Sequence, residues 1–99
     1  MTLTQLRYIV ALDAERHFGR AAERCGVSQP TLSTQVRRLE EELGVEIFDR
    51  TRQPIEPTDL GRLALDRARA VLREADALLA AVDAATDDVV GEQIGRAHV

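Results

Sequence analysis

Twenty residues, Phe18 to Arg37 (FGRAAERCGVSQPTLSTQVR), constrain the fold of this chain more than any others. Phe18 to Cys25 has the length of a short helix, and Gly26 can adopt the positive φ that ends one. Ser28 suits an N-cap, its hydroxyl accepting from an orphan backbone N–H, and Pro30 is tolerated in the first turn that follows. The next helix carries Leu32, Val36, Leu39 and Leu43 at steps of four, three and four, which predicts one continuous buried stripe. Small Ala21 and Ala22 let the two helices approach closely. Two short helices across a tight turn make a helix-turn-helix, a device for placing one helix in the major groove of DNA.

The net charge of −4 argues the other way, because nucleic-acid binders are usually basic. That total conceals a division. From His17 to Arg38 there are four arginines (20, 24, 37 and 38) and one acid, Glu23; from Leu39 to Asp49 there are five acids (40, 41, 42, 46 and 49) and no base. Phosphate contacts depend on local charge. With the N-terminal half of the second helix in a groove, Glu40, Glu41 and Glu42 would sit at its far end, away from DNA.

The rest of the chain reads as mainly α. Met1 to Ala14 has a helical pattern, with Thr2-x-x-Gln5 matching a capping box and Leu3, Leu6, Ile9 and Val10 near one face. Gly44 ends the third helix. Val45 to Phe48 is short and β-prone, Thr51 to Pro54 suggests a turn, and Ile55 is a candidate return strand. The prolines limit this to a small hairpin, a wing. Thr58 then suits an N-cap and Asp59 the first turn of a helix free of Pro and Gly from Arg62 to about Asp88. At ~1.5 Å per residue such a helix is too long for so small a domain to bury by itself. Its stripe Ala68, Val71, Ala75, Leu78, Val82 and Ala85 alternates steps of three and four, the spacing of a dimer seam. Leu65, Leu72 and Leu79 form a second stripe. The competing reading is a single amphipathic helix folded onto the core. Val89 to Val99 has no helical pattern and reads as a linker.

On the third helix the face opposite the apolar stripe holds Pro30, Ser33, Thr34, Arg37, Arg38 and Glu41. Short hydroxyl side chains let a helix sit deep in a groove, Gln pairs with an adenine edge, and Ser or Thr with several bases. Gln29 and Thr31 lie where the helix dipole and free N–H groups favour phosphate. A solvated helix surface has the same composition, so the turn geometry carries the argument.

Cys25, the only cysteine, excludes an internal disulfide and fits a reducing cytoplasm. Its place before the turn calls for an apolar residue, so a buried thiol is favoured over a reactive or metal-bound one. His17 is expected at the mouth of the second helix. Neither it nor His98 has zinc spacing with Cys25. There is no Ser/His/Asp set, P-loop or carboxylate pair, so no catalytic residue, metal or cofactor is assigned. No apolar run approaches membrane-spanning length, and no signal-peptide pattern opens the chain.

Leu6 to Phe18, followed by RAAERCGVSQPTLSTQVRRLEEELGVEIFDR from Arg20 to Arg50, resembles the N-terminal domain of LysR-type transcriptional regulators. The Ala-Ala pair, Val-Ser-Gln-Pro, Leu-Glu-x-Glu-Leu-Gly, Phe-x-Arg and the Thr-x-x-Gly that opens the long helix carry the resemblance across residues 1–88. The run RHFGRAAERCGVSQPTLS is most similar to the peroxide-responsive (OxyR) group. The resemblance implies a winged helix-turn-helix over 1–57, a linker helix over 58–88 and, over 89–99, a hinge toward an effector-binding domain absent from the sequence. It implies antiparallel pairing of linker helices, a homodimer that becomes a tetramer at full length, and double-stranded DNA with an interrupted palindrome as partner. It places Ser28, Gln29, Pro30, Thr31, Ser33, Thr34 and Arg37 on the recognition helix, and Arg50 and Arg52 in a wing near the minor groove and backbone. The group's peroxide-sensing cysteines would lie in the absent part, so Cys25 does not inherit their role. A cytoplasmic, nucleoid-associated location follows. The alternative from another class is a helical adaptor that binds protein and not DNA.

Overall fold

The computed structural model describes residues 1–89; the hinge expected over 89–99 lies, from residue 90 onward, outside the described residues. The elements are α1 (Leu3–Glu15), α2 (Phe18–Cys25), α3 (Gln29–Leu43), β1 (Phe48–Asp49), β2 (Glu56–Pro57) and α4 (Asp59–Val89). Each helix starts where local chemistry supplies an acceptor. Thr2 and Gln5 form the capping box of α1, and Ser28 Oγ accepts from Thr31 N–H at α3. His17 caps α2: its Nδ1 accepts from Arg20 N–H at 3.0 Å. Gly26 and Gly44 end α2 and α3 at φ 72° and 74°. Helix α1 stops without glycine. Arg16 takes the left-handed conformation, φ 53°, while its Nε donates to Asp13 O at 2.8 Å.

Helix α1 packs against α2, α3 and α4. The core is aliphatic apart from Phe48 and Tyr8, with Ile9, Leu12, Leu32, Val36, Leu39, Ile47 and Leu65 fully enclosed. The expected α3 stripe is correct for Leu32, Val36 and Leu39 but not for Leu43. Leu43 is exposed at the last turn, and the buried position there belongs to Glu40. The wing strands lie a little beyond the β-prone segments: two residues each, antiparallel, with Phe48 opposite Pro57 and Asp49 opposite Glu56. Ile47 and Ile55, just before each strand, plug into the core. The turn at the wing tip contains a cis Gln53–Pro54 bond.

Helix α4 runs for 31 residues, roughly 46 Å at ~1.5 Å per residue, in a molecule whose longest dimension is 57 Å. Leu65 and Ala68 are buried and Leu72 is partly buried against the core, whereas Leu78, Leu79 and Val82 are exposed. The first half of α4 is therefore part of the domain core, and the second half projects from it.

The start of α4 is held closely. Thr58 N–H donates to Ile47 O at 2.9 Å, and Thr58 Oγ1 accepts from Gly61 N–H at 2.9 Å while donating to Glu46 O at 2.6 Å. Gly61 faces the Ile47 carbonyl so closely that a Cβ there would lie 1.9 Å from the oxygen. The Thr-x-x-Gly spacing thus joins a cap to a helix-strand approach that no side chain fits. Among the described residues, no helix is long and apolar enough to cross a membrane, and no His/Cys/Asp/Glu group could hold a metal ion.

Candidate nucleic-acid interface

Helix α3 divides sharply. Leu32, Val36, Leu39 and Glu40 turn inward, while Gln29, Pro30, Thr31, Thr34, Arg37 and Arg38 are exposed and Ser33 is half-buried. The N-terminal turn is pre-ordered. Ser28 Oγ, itself exposed, donates to Thr31 Oγ1 at 2.9 Å and accepts from Thr31 N–H at 3.2 Å. Gly19 leaves room beside this turn: a Cβ there would come within 3.0 Å of the His17 ring and 3.4 Å of the Gln29 carboxamide oxygen. Arg37 and Arg38 enter no ion pair among the described residues. Their guanidinium groups are charged and uncommitted, a requirement for phosphate or base-edge contact.

The three acids after Leu39 do not behave as a block. Glu40 is buried, and its Oε2 accepts from Ile47 N–H at 2.8 Å and Phe48 N–H at 3.3 Å. Glu41 shares a shallow cleft with Ser33, Thr34, Arg37 and Arg38. Only Glu42 is wholly at the far end, where it accepts from the N-terminal amine at 2.6 Å. The expected separation of base from acid therefore holds for Glu42, fails for Glu41, and is irrelevant to Glu40, which staples α3 to the chain entering β1.

The two wing arginines part company. Arg52 is exposed, with Nε 3.7 Å from Asp49 Oδ2. Arg50, expected beside it as a contact, is taken up by the fold. Its Nη2 donates to Glu40 Oε1 at 2.9 Å and its Nη1 to Oε2 at 3.2 Å, and its Cζ lies 5.5 Å from the Phe18 ring centroid. A bidentate pair with a cation–π contact occupies both the edge and the face of the guanidinium. Thr51 O–H and N–H both donate to Asp49 Oδ1, holding the Asp49 carboxyl below the usual carboxylate range, with Arg52 adding to that effect.

Of the seam residues, Ala68 is corrected. It is buried within the protomer against its own core, so a partner helix cannot reach it. Ala75 is half-buried, and Val71, Leu78, Val82 and Ala85 are exposed. Cys25 is partly buried; burial pushes its thiol up, and nearby Arg24 offsets this only in part. That environment disfavours a reactive thiolate. The roles of Glu40 and Gly61 were missed by sequence reasoning. The Leu-Glu-x-Glu-Leu-Gly run held the signal for Glu40, since it is the acid one residue after buried Leu39.

Residues 3–62 match the model of the bacterial regulatory helix-turn-helix proteins of the lysR family. The DNA-binding transcriptional dual regulator OxyR of Escherichia coli (strain K12) is 53% identical over 78 residues, covering 79% of this chain and 26% of that protein. A full-length OxyR variant from Pseudomonas aeruginosa superposes with a TM-score of 0.81 at 52% identity, over 85% of this chain and 28% of that one. The BenM DNA-binding domain, solved with catB site 1 DNA, superposes with a TM-score of 0.86 at 33% identity, over 89% of this chain and 95% of that one. The chain spans about a quarter of the length of the OxyR and peroxide-inducible activator relatives it matches. With its helix-turn-helix, wing and long helix in the arrangement of these proteins, the chain belongs to the LysR family and is OxyR-like within it.

Proposed function

We propose that the chain binds double-stranded DNA as a homodimer, with α3 in the major groove of each half of an interrupted palindrome. The observation that carries this reading is the division of α3. Its inner face is locked by Leu32, Val36, Leu39 and Glu40, and its outer face presents Gln29, Thr31, Thr34 and Arg37 to solvent on a rigid support. The likeness to a domain solved with DNA supports the reading further. Ser28, Gln29, Thr31, Ser33 and Thr34 supply polar groups for groove and phosphate contact, Pro30 an apolar surface in the first turn, Arg37 the charge, and Arg52 a backbone contact from the wing. Arg50 holds the wing in place. Among the relatives nothing supports a protein-only adaptor.

The dimer forms through the exposed part of α4, with Val71, Ala75, Leu78, Val82 and Ala85 in the seam. The long helix beyond Leu72 has no core of its own to rest on. The unit serves a peroxide-responsive regulator in the cytoplasm, on the nucleoid, that assembles to a tetramer. Footprinting on operator DNA tests the reading: two protected half-sites are expected, and a single protected half-site, or none, refutes it.

A further inference from the structure

Gly19 lies in the first turn of α2, and its backbone φ is not positive. Helices disfavour glycine, so conformation does not call for one here; space does. A Cβ at this position would lie 3.0 Å from His17 Cε1, 3.4 Å from His17 Nδ1 and 3.4 Å from Gln29 Oε1. The start of α2 and the first residue of α3 therefore border one small void. An imidazole walls it on one side and a carboxamide on the other.

One wall is fixed and the other is free. His17 Nδ1 accepts from Arg20 N–H at 3.0 Å, which pins the ring as the cap of α2. Arg16, at φ 53°, turns the chain so that His17 enters α2 extended. Glu15 holds the same helix from the end of α1, with Oε2 3.1 Å from Arg24 Nη1 and Oε1 3.7 Å from Arg20 Nε. Gln29, by contrast, is exposed, and its side chain makes no hydrogen bond among the described residues. Its oxygen end faces the first turn of α2, where free N–H groups and the helix dipole favour negative charge. A glutamine that reads a base gives up rotamer freedom on binding, and confining it beforehand removes part of that loss.

We infer that Gly19 is a positioning residue for base readout. The space left by its missing side chain seats the Gln29 carboxamide beside the capped His17 ring and sets how Gln29 enters the groove. The inference rests on the reading above in which Gln29 contacts a base. It deepens that reading by giving a part in specificity to a residue without a side chain, on the other helix of the motif. A methyl group added at Gly19 competes with Gln29 for the void. Displacing the ring breaks the α2 cap, whereas the exposed carboxamide yields freely.

A randomised DNA duplex library is the probe: the protein binds it, and sequencing of the bound fraction reads the base preference at each position. Gln29→Ala marks the position that Gln29 reads. Gly19→Ala should lower the preference at that same position about threefold to tenfold. Preference elsewhere, affinity for random DNA and the thermal midpoint should stay close to wild type. Added to Gln29→Ala, it should change nothing further. His17→Asn keeps a capping acceptor but removes the ring, and should give the same selective loss. If Gln29→Ala alters no preference, the base-reading role of Gln29 and the seat fall together. If Gln29→Ala acts selectively while either Gly19→Ala or His17→Asn keeps full preference, only the seat is overturned. A Gly19→Ala loss that is equal on all sequences, or that persists in the Gln29→Ala background, also overturns the seat, because the methyl group then acts on something other than Gln29.

Discussion

Glu40 and Arg50 meet in a two-pronged ion pair, with Arg50 Nη2 2.9 Å from Glu40 Oε1 and Nη1 3.2 Å from Oε2. The same carboxylate accepts from two buried backbone N–H groups of the chain entering β1. One acid thereby fixes the wing relative to α3, so the two parts proposed to touch DNA move as a unit. Glu40→Ala removes the acceptor of two buried donors, each costing ~1–3 kcal/mol when orphaned. Urea denaturation should show a loss of about 3 kcal/mol. Arg50→Ala leaves those two bonds in place but strips the buried carboxylate of its counter-charge, and should also cost about 3 kcal/mol. A neutral Glu40→Ala would contradict the central role of the carboxylate.

Gly61→Ala drives a Cβ into the Ile47 carbonyl. Overpacking of this kind costs ~1–3 kcal/mol, and each kcal/mol lowers the Tm of so small a domain by roughly 4–8 °C. Calorimetry should show a drop of that size, and a neutral variant would mean that α4 can slide away from β1. Thr58→Val, which keeps the side-chain shape but loses the cap and the bond to Glu46 O, should add its own cost of about 1 kcal/mol.

The Asp49 carboxyl titrates below the ordinary carboxylate range because Thr51 donates to it twice and Arg52 lies close. A depressed value means that this contribution is fully present above the ordinary Asp value. It is lost as pH falls through the lower, folded value. The Thr51 amide resonance should therefore titrate with a midpoint below about 3.9, the unperturbed Asp value. In Asp49→Asn that transition should vanish. A Thr51 midpoint at the ordinary Asp value would show that the wing turn is not held by this carboxylate.

Gln29 and Arg52 should fail differently. Gln29→Ala should relax base preference at a cost of ~1–3 kcal/mol on cognate DNA with little effect on random DNA. Arg52→Ala should weaken binding to all sequences about equally. Competition assays with cognate and random duplexes separate the two, and equal losses on both from Gln29→Ala would remove Gln29 from base readout.

For the seam, Leu78→Glu places a charge among exposed apolar residues that have no cover within the protomer. Light scattering should report monomers; a persistent dimer would locate the interface elsewhere.

The local signals in the sequence describe most of this fold. Thr2, Ser28, Gly26 and Gly44 each act within one helical turn, so their neighbours alone announce α1, α2 and α3. The polar side of α3 was equally legible, because the step from Leu32 to Val36 to Leu39 determines which residues face out. What periodicity could not show was long-range pairing. Glu40 looks like one acid of three until Ile47, Phe48 and Arg50 fold back onto it. Arg50 and Arg52 are indistinguishable as wing bases until that carboxylate captures one. Ala68 fits a heptad as well as Val71 does, and only the packing of α1 against α4 shows that its face is already covered. Arg16 ends α1 in a conformation that glycine would have advertised.

The central claim is that the outer face of α3, paired across a dimer, reads DNA. Its most direct measurement is the affinity of the chain for an interrupted palindrome as salt is raised. The account predicts binding at low salt that falls steeply and linearly on a log–log plot, with a slope of about −0.9 per phosphate contacted, and tighter binding to the palindrome than to a single half-site. Absence of binding at low salt, or equal affinity for one half-site and two, would contradict it.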